Sequence, residues 1–225
     1  MHPIDAAVRA VIFDLDETLL DQASASKAAL IDWAASLGLN EPGDADRWAQ
    51  ISSRHYARYQ LREISFEDQR RERVREFLEQ PLSDEEASVV FGGYLERYEA
   101  GWMLFPDALP ALRRARESAR AVAILTNGDR AQQIRKLQRF DLLSEIDLLL
   151  CSSELPYGKP HPSAFSAVIN GLGTTAAQST MVGDSLRNDY YGAQDFGMRA
   201  ILIDRLSAHS DAGVRSIKSL DELTY

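Results

Sequence analysis

The chain alternates between two hydrophobic textures. Near its start a short apolar run, Ala10-Val11-Ile12-Phe13, stops abruptly at Asp14-Leu15-Asp16. Branched and aromatic apolar residues closed off by polar ones predict a strand buried on both faces, as in a parallel sheet. From Gln22 to Trp102 the period changes to a helical one. Leu30, Trp33 and Leu37 recur at helical spacing with Gly38 as a C-terminal stop, and Trp48, Ile51, His55 and Tyr59 repeat that spacing. Ser65 with Asp68 and Ser83 with Glu86 read as capping boxes that open a third and a fourth helix. The third carries Val74, Phe77 and Leu78, and the fourth carries Phe91, Tyr94, Leu95, Tyr98 and Trp102. Such stripes predict the packing faces of a small helical bundle.

After Pro106 short apolar runs return and alternate with helical segments. Strands are predicted at Ala121–Leu125, Asp147–Cys151, Ser179–Val182 and Ala200–Ile203. Helices are predicted around Pro106–Ser118, Ala131–Arg139, Pro162–Leu172 and Asn188–Phe196. This alternation means a parallel sheet covered by helices on both faces. The fold class is therefore an α/β core, residues 1–20 with 104–225, interrupted after its first strand by an all-helical insertion over 21–103.

Composition narrows the functional classes. The 45% hydrophobic and 26% charged content suits an ordinary globular protein, and no apolar run reaches the roughly 20 residues that span a bilayer. A net charge of -9 argues against binding nucleic acid through its phosphates. An acidic protein that handles phosphate must instead supply positive charge locally, from a metal ion, a lysine or helix N-termini. The single cysteine, Cys151, cannot form an intramolecular disulfide. With an N-terminus that lacks the basic and apolar regions of a signal peptide, it points to the cytoplasm.

Ligands of open parallel sheets bind at the carboxyl ends of the strands, so the residues there carry the candidate chemistry. The first strand ends in Asp14-Leu15-Asp16-Glu17-Thr18. Residues two apart on an extended chain point the same way, so Asp14 can attack phosphorus while Asp16 protonates the leaving oxygen and later deprotonates water. The second strand ends in Thr126-Asn127-Gly128-Asp129, a hydroxyl and backbone N–H groups that can cradle an anion. Lys159 precedes Pro160, which biases it to an extended backbone and gives a fixed ammonium for the phosphoryl oxygens. The strand at Ser179–Val182 runs into Gly183-Asp184-Ser185-Leu186-Arg187-Asn188-Asp189, oxygen-rich and free of Cys and His, which suits Mg2+. Taken singly, each segment also fits a capped turn. Four of them in order, each after a predicted strand, form a catalytic pattern.

That order resembles the haloacid dehalogenase (HAD) superfamily, whose fold is a Rossmann-like parallel-sheet core with, in many members, a helical C1 cap inserted after the first strand. The resemblance implies that Asp14 is the nucleophile, and that Asp16 is the general acid/base and offers its carbonyl to Mg2+. It implies that Thr126, with Asn127 beside it, binds the transferring phosphoryl group together with Lys159. It places the metal with Asp14, Asp16 and Asp184, and gives Asp189 a supporting role behind the metal or Lys159. The implied activity is Mg2+-dependent hydrolysis of a small-molecule phosphate monoester through an aspartyl-phosphate, with residues 21–103 as the cap.

Dehalogenating members of the family lack the second aspartate, and Asp16 is present here. Phosphonate hydrolases use a cap lysine, whereas the only lysine of the insertion, Lys27, reads as a solvated charge. A sugar phosphomutase shares every core residue and is the nearest alternative, followed by a non-catalytic binding module on the same fold. His55 reads as a satisfied buried side chain, His161 as a loop residue and Cys151 as a small core hydrophobe. Arg58, Arg62 and Arg73 are candidates for a substrate contact, each also readable as a solvated helix charge.

Overall fold

The computed structural model describes residues 2–39, 41–118 and 120–225. Contacts divide the chain into two compact units, Met1–Asp21 with Leu104–Tyr225, and Gln22–Met103.

The first unit is built on β2 (Ala10–Phe13), which follows a two-residue strand β1 (His2–Pro3). Its remaining strands are β3 (Ala121–Thr126), β4 (Leu148–Cys151), β5 (Ser179–Gly183), β6 (Arg199–Ile203), β7 (Ser216–Ile217) and β8 (Leu223–Thr224). Six of them form one parallel sheet in the order β4-β3-β2-β5-β6-β7, and β1 pairs with β8 separately. The chain moves outward on one side of β2 and then crosses to β5 on the other. β2 therefore lies at the switch point where α/β sheets open a ligand crevice. Its four residues are all fully buried, as the unbroken apolar run requires. The register pairs Phe13 with Ile124 on one side and Val182 on the other, so the strand ends that carry Asp14, Thr126 and Asp184 come out together.

Three helices of this unit follow the predicted pattern: α5 (Ala108–Glu117), α6 (Arg130–Arg139) and α7 (Pro162–Gly171). Ile12, Leu125 and Met181 pack with Phe165 and Val168 of α7 in the core on one face of the sheet. The helix expected at Asn188–Phe196 differs. Leu186–Tyr191 is wound as a π-helix, and only Gly192–Asp195 (α8) is α-helical. The wide turn is tied down by Asp189, whose carboxylate is held by groups outside the helix, and such turns concentrate at functional sites.

The chain leaves and re-enters this unit through a stapled junction. After Asp16, Glu17 takes a left-handed backbone at φ 61° and the chain reverses. Leu20 then bridges to Leu104, and the Phe105 N–H donates to the Leu19 carbonyl at 3.0 Å. Arg205, just beyond β6, locks the arrangement. Its guanidinium grips Asp107 through two bonds of 2.9 Å, donates to the Thr18 carbonyl at 2.9 Å and lies 3.8 Å over the Phe105 ring. Ser219 Oγ and the Leu220 N–H complete the Asp107 shell. Burial works against the Asp107 charge, but these donors outweigh it and hold the carboxyl below its usual range.

The second unit consists of α1 (Gln22–Ser36), α2 (Asp44–Gln60), α3 (Phe66–Leu78) and α4 (Asp84–Ala100). Both capping boxes read from the sequence are formed, Ser65 with Asp68 and Ser83 with Glu86. Gly38 has φ 76°, the left-handed stop conformation beyond α1, and leaves Leu37 exposed. Trp33, Trp48, Phe77, Phe91 and Tyr94 meet in the centre, with ring centroids 5.3 Å apart for Trp33–Trp48 and 4.8 Å for Trp48–Tyr94. Among the described residues no helix is long and apolar enough to cross a membrane.

Candidate active site

The first unit brings Asp14, Asp16, Thr126, Asn127, Lys159, Asp184 and Asp189 together at the carboxyl ends of β2, β3 and β5 and in the loop before α7. Asp14 continues the sheet through its N–H, which donates to the Val182 carbonyl at 2.9 Å. Its carboxylate meets the buried Lys159 ammonium at 2.7 Å, and the same ammonium donates to Asp189 Oδ1 at 2.6 Å. Burial opposes the charge on Lys159, but the two aspartates prevail and raise its pKa above the ordinary lysine value. Held between two carboxylates, the ammonium is fixed in direction.

Asp189 has a donor on each oxygen, since its Oδ2 accepts the Ser185 N–H at 3.0 Å. A Cβ on Gly183 would lie 2.3 Å from the Asp189 carboxyl carbon, so only glycine lets β5 run this close. Asp184 is different. It is half-buried and receives no side-chain hydrogen bond among the described residues. Burial pushes its carboxyl up to about 8, with Asp14 and Asp189 adding to the rise and Lys159 opposing it. Burial likewise pushes Asp14 up to about 7, against the pull of Lys159 and with Asp189 and Asp16 adding. Ligand oxygens of Asp14, Asp184 and Asp189 all lie within 4.8 Å of one another. One ammonium does not balance that much buried negative charge. An all-oxygen donor set with an excess of charge fits a hard divalent cation such as Mg2+.

Thr126 Oγ1 accepts from the Gly128 N–H at 3.2 Å and from Gln133 Nε2 at 2.8 Å. With both lone pairs engaged, the hydroxyl keeps its hydrogen to donate. The Asn127 carboxamide does something composition did not suggest: it brackets the Lys159 backbone. Nδ2 donates to the Lys159 carbonyl and Oδ1 accepts the Lys159 N–H, each at 2.7 Å. It thereby sets the loop that carries the ammonium, whose Lys159–Pro160 peptide is cis.

Sequence reasoning missed two residues here. Gln133 and Lys136 are both 1% exposed on α6. They reach Asp16, with Gln133 Nε2 at 2.9 Å from Oδ2 and Lys136 Nζ at 2.5 Å from Oδ1. The signal was their spacing, because residues three apart share a helix face and Leu137 marks that face as the buried one.

A profile of the haloacid dehalogenase-like hydrolases matches residues 8–197. The chain belongs to that family. Among curated relatives, the phosphoserine phosphatase of Thermus thermophilus is 29% identical over 88% of this chain and 89% of its own. The ribulose-1,5-bisphosphate 5-phosphatase of Halopiger xanaduensis is 30% identical, covering 90% and 87%. Among solved structures, a HAD phosphatase from Thermococcus onnurineus superposes with a TM-score of 0.67 at 26% identity, covering 96% and 95%.

The residues set aside in the sequence behave as side chains with ordinary partners. His55 Nε2 lies 2.8 Å from Glu76 Oε2, and His161 Nδ1 caps α7 by accepting the Ser163 N–H at 3.2 Å. Cys151 is buried, and burial pushes its thiol up to about 12, so this member of the HAD family carries no reactive thiolate there. Lys27 is exposed. Arg58 pairs with Glu63 at 3.5 Å, Arg62 lies over the Tyr59 ring, and Arg73 is enclosed by aromatic rings.

Proposed function

We propose that this HAD hydrolase is a phosphatase that cleaves a small-molecule phosphate monoester through an aspartyl-phosphate on Asp14. The observation that carries the reading is the buried Asp14–Lys159–Asp189 chain beside an undonated Asp184. It pairs a carboxylate nucleophile with fixed positive charge and leaves carboxylate oxygen for a metal. The phosphatases among its relatives, one acting on phosphoserine and one on ribulose-1,5-bisphosphate, support a monoester substrate.

Asp14 and Asp184, with the Asp16 carbonyl, would hold Mg2+, and Asp189 keeps Lys159 in place behind them. Bound there, the metal supplies charge neutralisation for the phosphoryl oxygens. Lys159 fixes one Asp14 oxygen, and the Thr126 hydroxyl donates its hydrogen to the phosphoryl group. Asp14 attacks phosphorus in line, forming one P–O bond as the ester P–O bond breaks, and Asp16 gives its proton to the departing oxygen. Asp16 then takes a proton from water, whose oxygen attacks phosphorus and returns Asp14 as inorganic phosphate leaves. Acceleration comes mainly from positioning and electrostatics, as in other phosphoryl transfers.

The test is phosphate release from phosphoserine, sugar phosphates, phosphoglycolate and p-nitrophenyl phosphate, with Mg2+ and with EDTA. Release that needs Mg2+ and drops at least ~10^3-fold in Asp14→Asn is the expected result. Full turnover by Asp14→Asn would remove the nucleophile assignment. Absence of release from every compound would shift the reading to phosphoryl exchange on the same aspartate, as in a mutase.

A further inference from the structure

Helix α6 turns a polar face inward. Its buried residues are Gln133, Lys136 and Leu137, where an amphipathic helix ordinarily places apolar side chains. Lys136 and Gln133 place one donor on each oxygen of the Asp16 carboxylate, at 2.5 and 2.9 Å. The Gln133 amide also donates to Thr126 Oγ1 at 2.8 Å, so one side chain joins the residue at the end of β3 to the residue beyond the end of β2. The contact has a requirement in the backbone: a Cβ on Gly128 would lie 2.1 Å from Gln133 Nε2. Burying the Lys136 ammonium costs desolvation, and its ion pair with Asp16 offsets that cost.

We propose that Lys136 and Gln133 are positioning residues that aim Asp16 in the half of the cycle that hydrolyses the aspartyl-phosphate. The inference rests on the phosphatase reading. Two donors, one per oxygen, fix the plane of the carboxylate and complement it while it carries no proton. That is the state in which Asp16 must meet water. The proton from water goes to an Asp16 oxygen as the water oxygen bonds to phosphorus and the Asp14–phosphorus linkage breaks. Through Gln133 the same orientation is tied to Thr126, so the proton acceptor and the phosphoryl-binding hydroxyl hold a constant relation. A loosened Asp16 would still permit phosphoryl transfer from an ester whose alcohol leaves without a proton, and it would slow the second half.

The experiment is pre-steady-state turnover of p-nitrophenyl phosphate by the full chain with Mg2+, comparing wild type, Lys136→Met, Gln133→Leu and Asp14→Asn. Both positioning variants should release about one equivalent of nitrophenolate in a burst and then turn over ~10- to 100-fold more slowly than wild type. Because the first half is spared, kcat/KM should change less than ~3-fold, a separation that general loss of structure does not produce. Gln133→Leu leaves every charge in place and serves if Lys136→Met does not fold. Parallel falls in kcat and kcat/KM without a burst, or unchanged kcat in either folded variant, would overturn the proposal while leaving the phosphatase reading intact. Wild-type enzyme whose turnover survives Asp14→Asn would overturn both.

Discussion

The two units surround their enclosed cations differently. In the α/β unit each buried cation meets a carboxylate: Lys159 with Asp14 and Asp189, Lys136 with Asp16, and Arg205 with Asp107. In the helical unit Arg70 pairs with the exposed Glu67 at 2.9 Å and also lies over the Phe66 and Phe91 rings, while Arg73 meets rings. Its guanidinium carbon lies 4.7 Å from the Trp48 ring, 5.2 Å from Phe91 and 5.6 Å from Tyr94. It also donates to Gln69 Oε1 at 3.3 Å. Burial lowers its pKa, with Tyr94 and Tyr98 opposing. Carboxylate–ammonium bonds are directional and specify positions to a fraction of an ångström. Aromatic faces attract a cation over a broad area and specify volume more than direction. The α/β unit is thus built for geometry and the helical unit for packing.

The sharpest test of that contrast is Lys159→Met. Removing the ammonium leaves two buried carboxylates facing each other, so activity should fall ~10^3-fold or more and stability by about 3–5 kcal/mol. Phosphate release and urea denaturation measure the two losses, and a variant as active as wild type would break the comparison. Trp48→Ala comes next. It removes the ring at the centre of the helical interior and should lower stability by about 3–5 kcal/mol without touching the aspartates. A loss below ~1 kcal/mol in the same denaturation would show that the rings do not form one packed interior. The smallest effect is expected from Arg73→Met, which keeps the volume among the rings and gives up a cation–π attraction of about 0.5–2 kcal/mol. A loss as large as that of Lys159→Met would mean Arg73 is specified as tightly as the core cations.

The sequence made the strand ends legible because an apolar run cut short by polar residues has few other physical readings. Asp14, Thr126 and Asp184 follow directly from that pattern. The aromatic stripe from Trp33 to Trp102 was equally readable from its spacing. Other features lie outside any local pattern. Asp107 and Arg205 are 98 positions apart, and nothing near either one announces a partner. The π-winding at Leu186–Tyr191 answers to where Asp189 is held, not to its own residue preferences. Strands β1 and β8 have two residues each, too few for a period. Gln133 and Lys136 were hidden by a habit of reading, since glutamine and lysine on a helix are ordinarily solvated. Asn127 was placed beside the phosphoryl group by position, and the hold of its carboxamide on the neighbouring loop, 32 positions away, lay outside any local pattern.

The stapled junction around Leu19, Leu20, Leu104 and Phe105 has a consequence for how such a chain can change over time. The two ends of the 22–103 segment depart from neighbouring points that are already fixed to each other and clamped by Arg205. The entropy of closing whatever lies between them grows only slowly with its length. A lineage can therefore lengthen, shorten or exchange that segment as a cassette while the strand ends stay anchored in an unaltered frame.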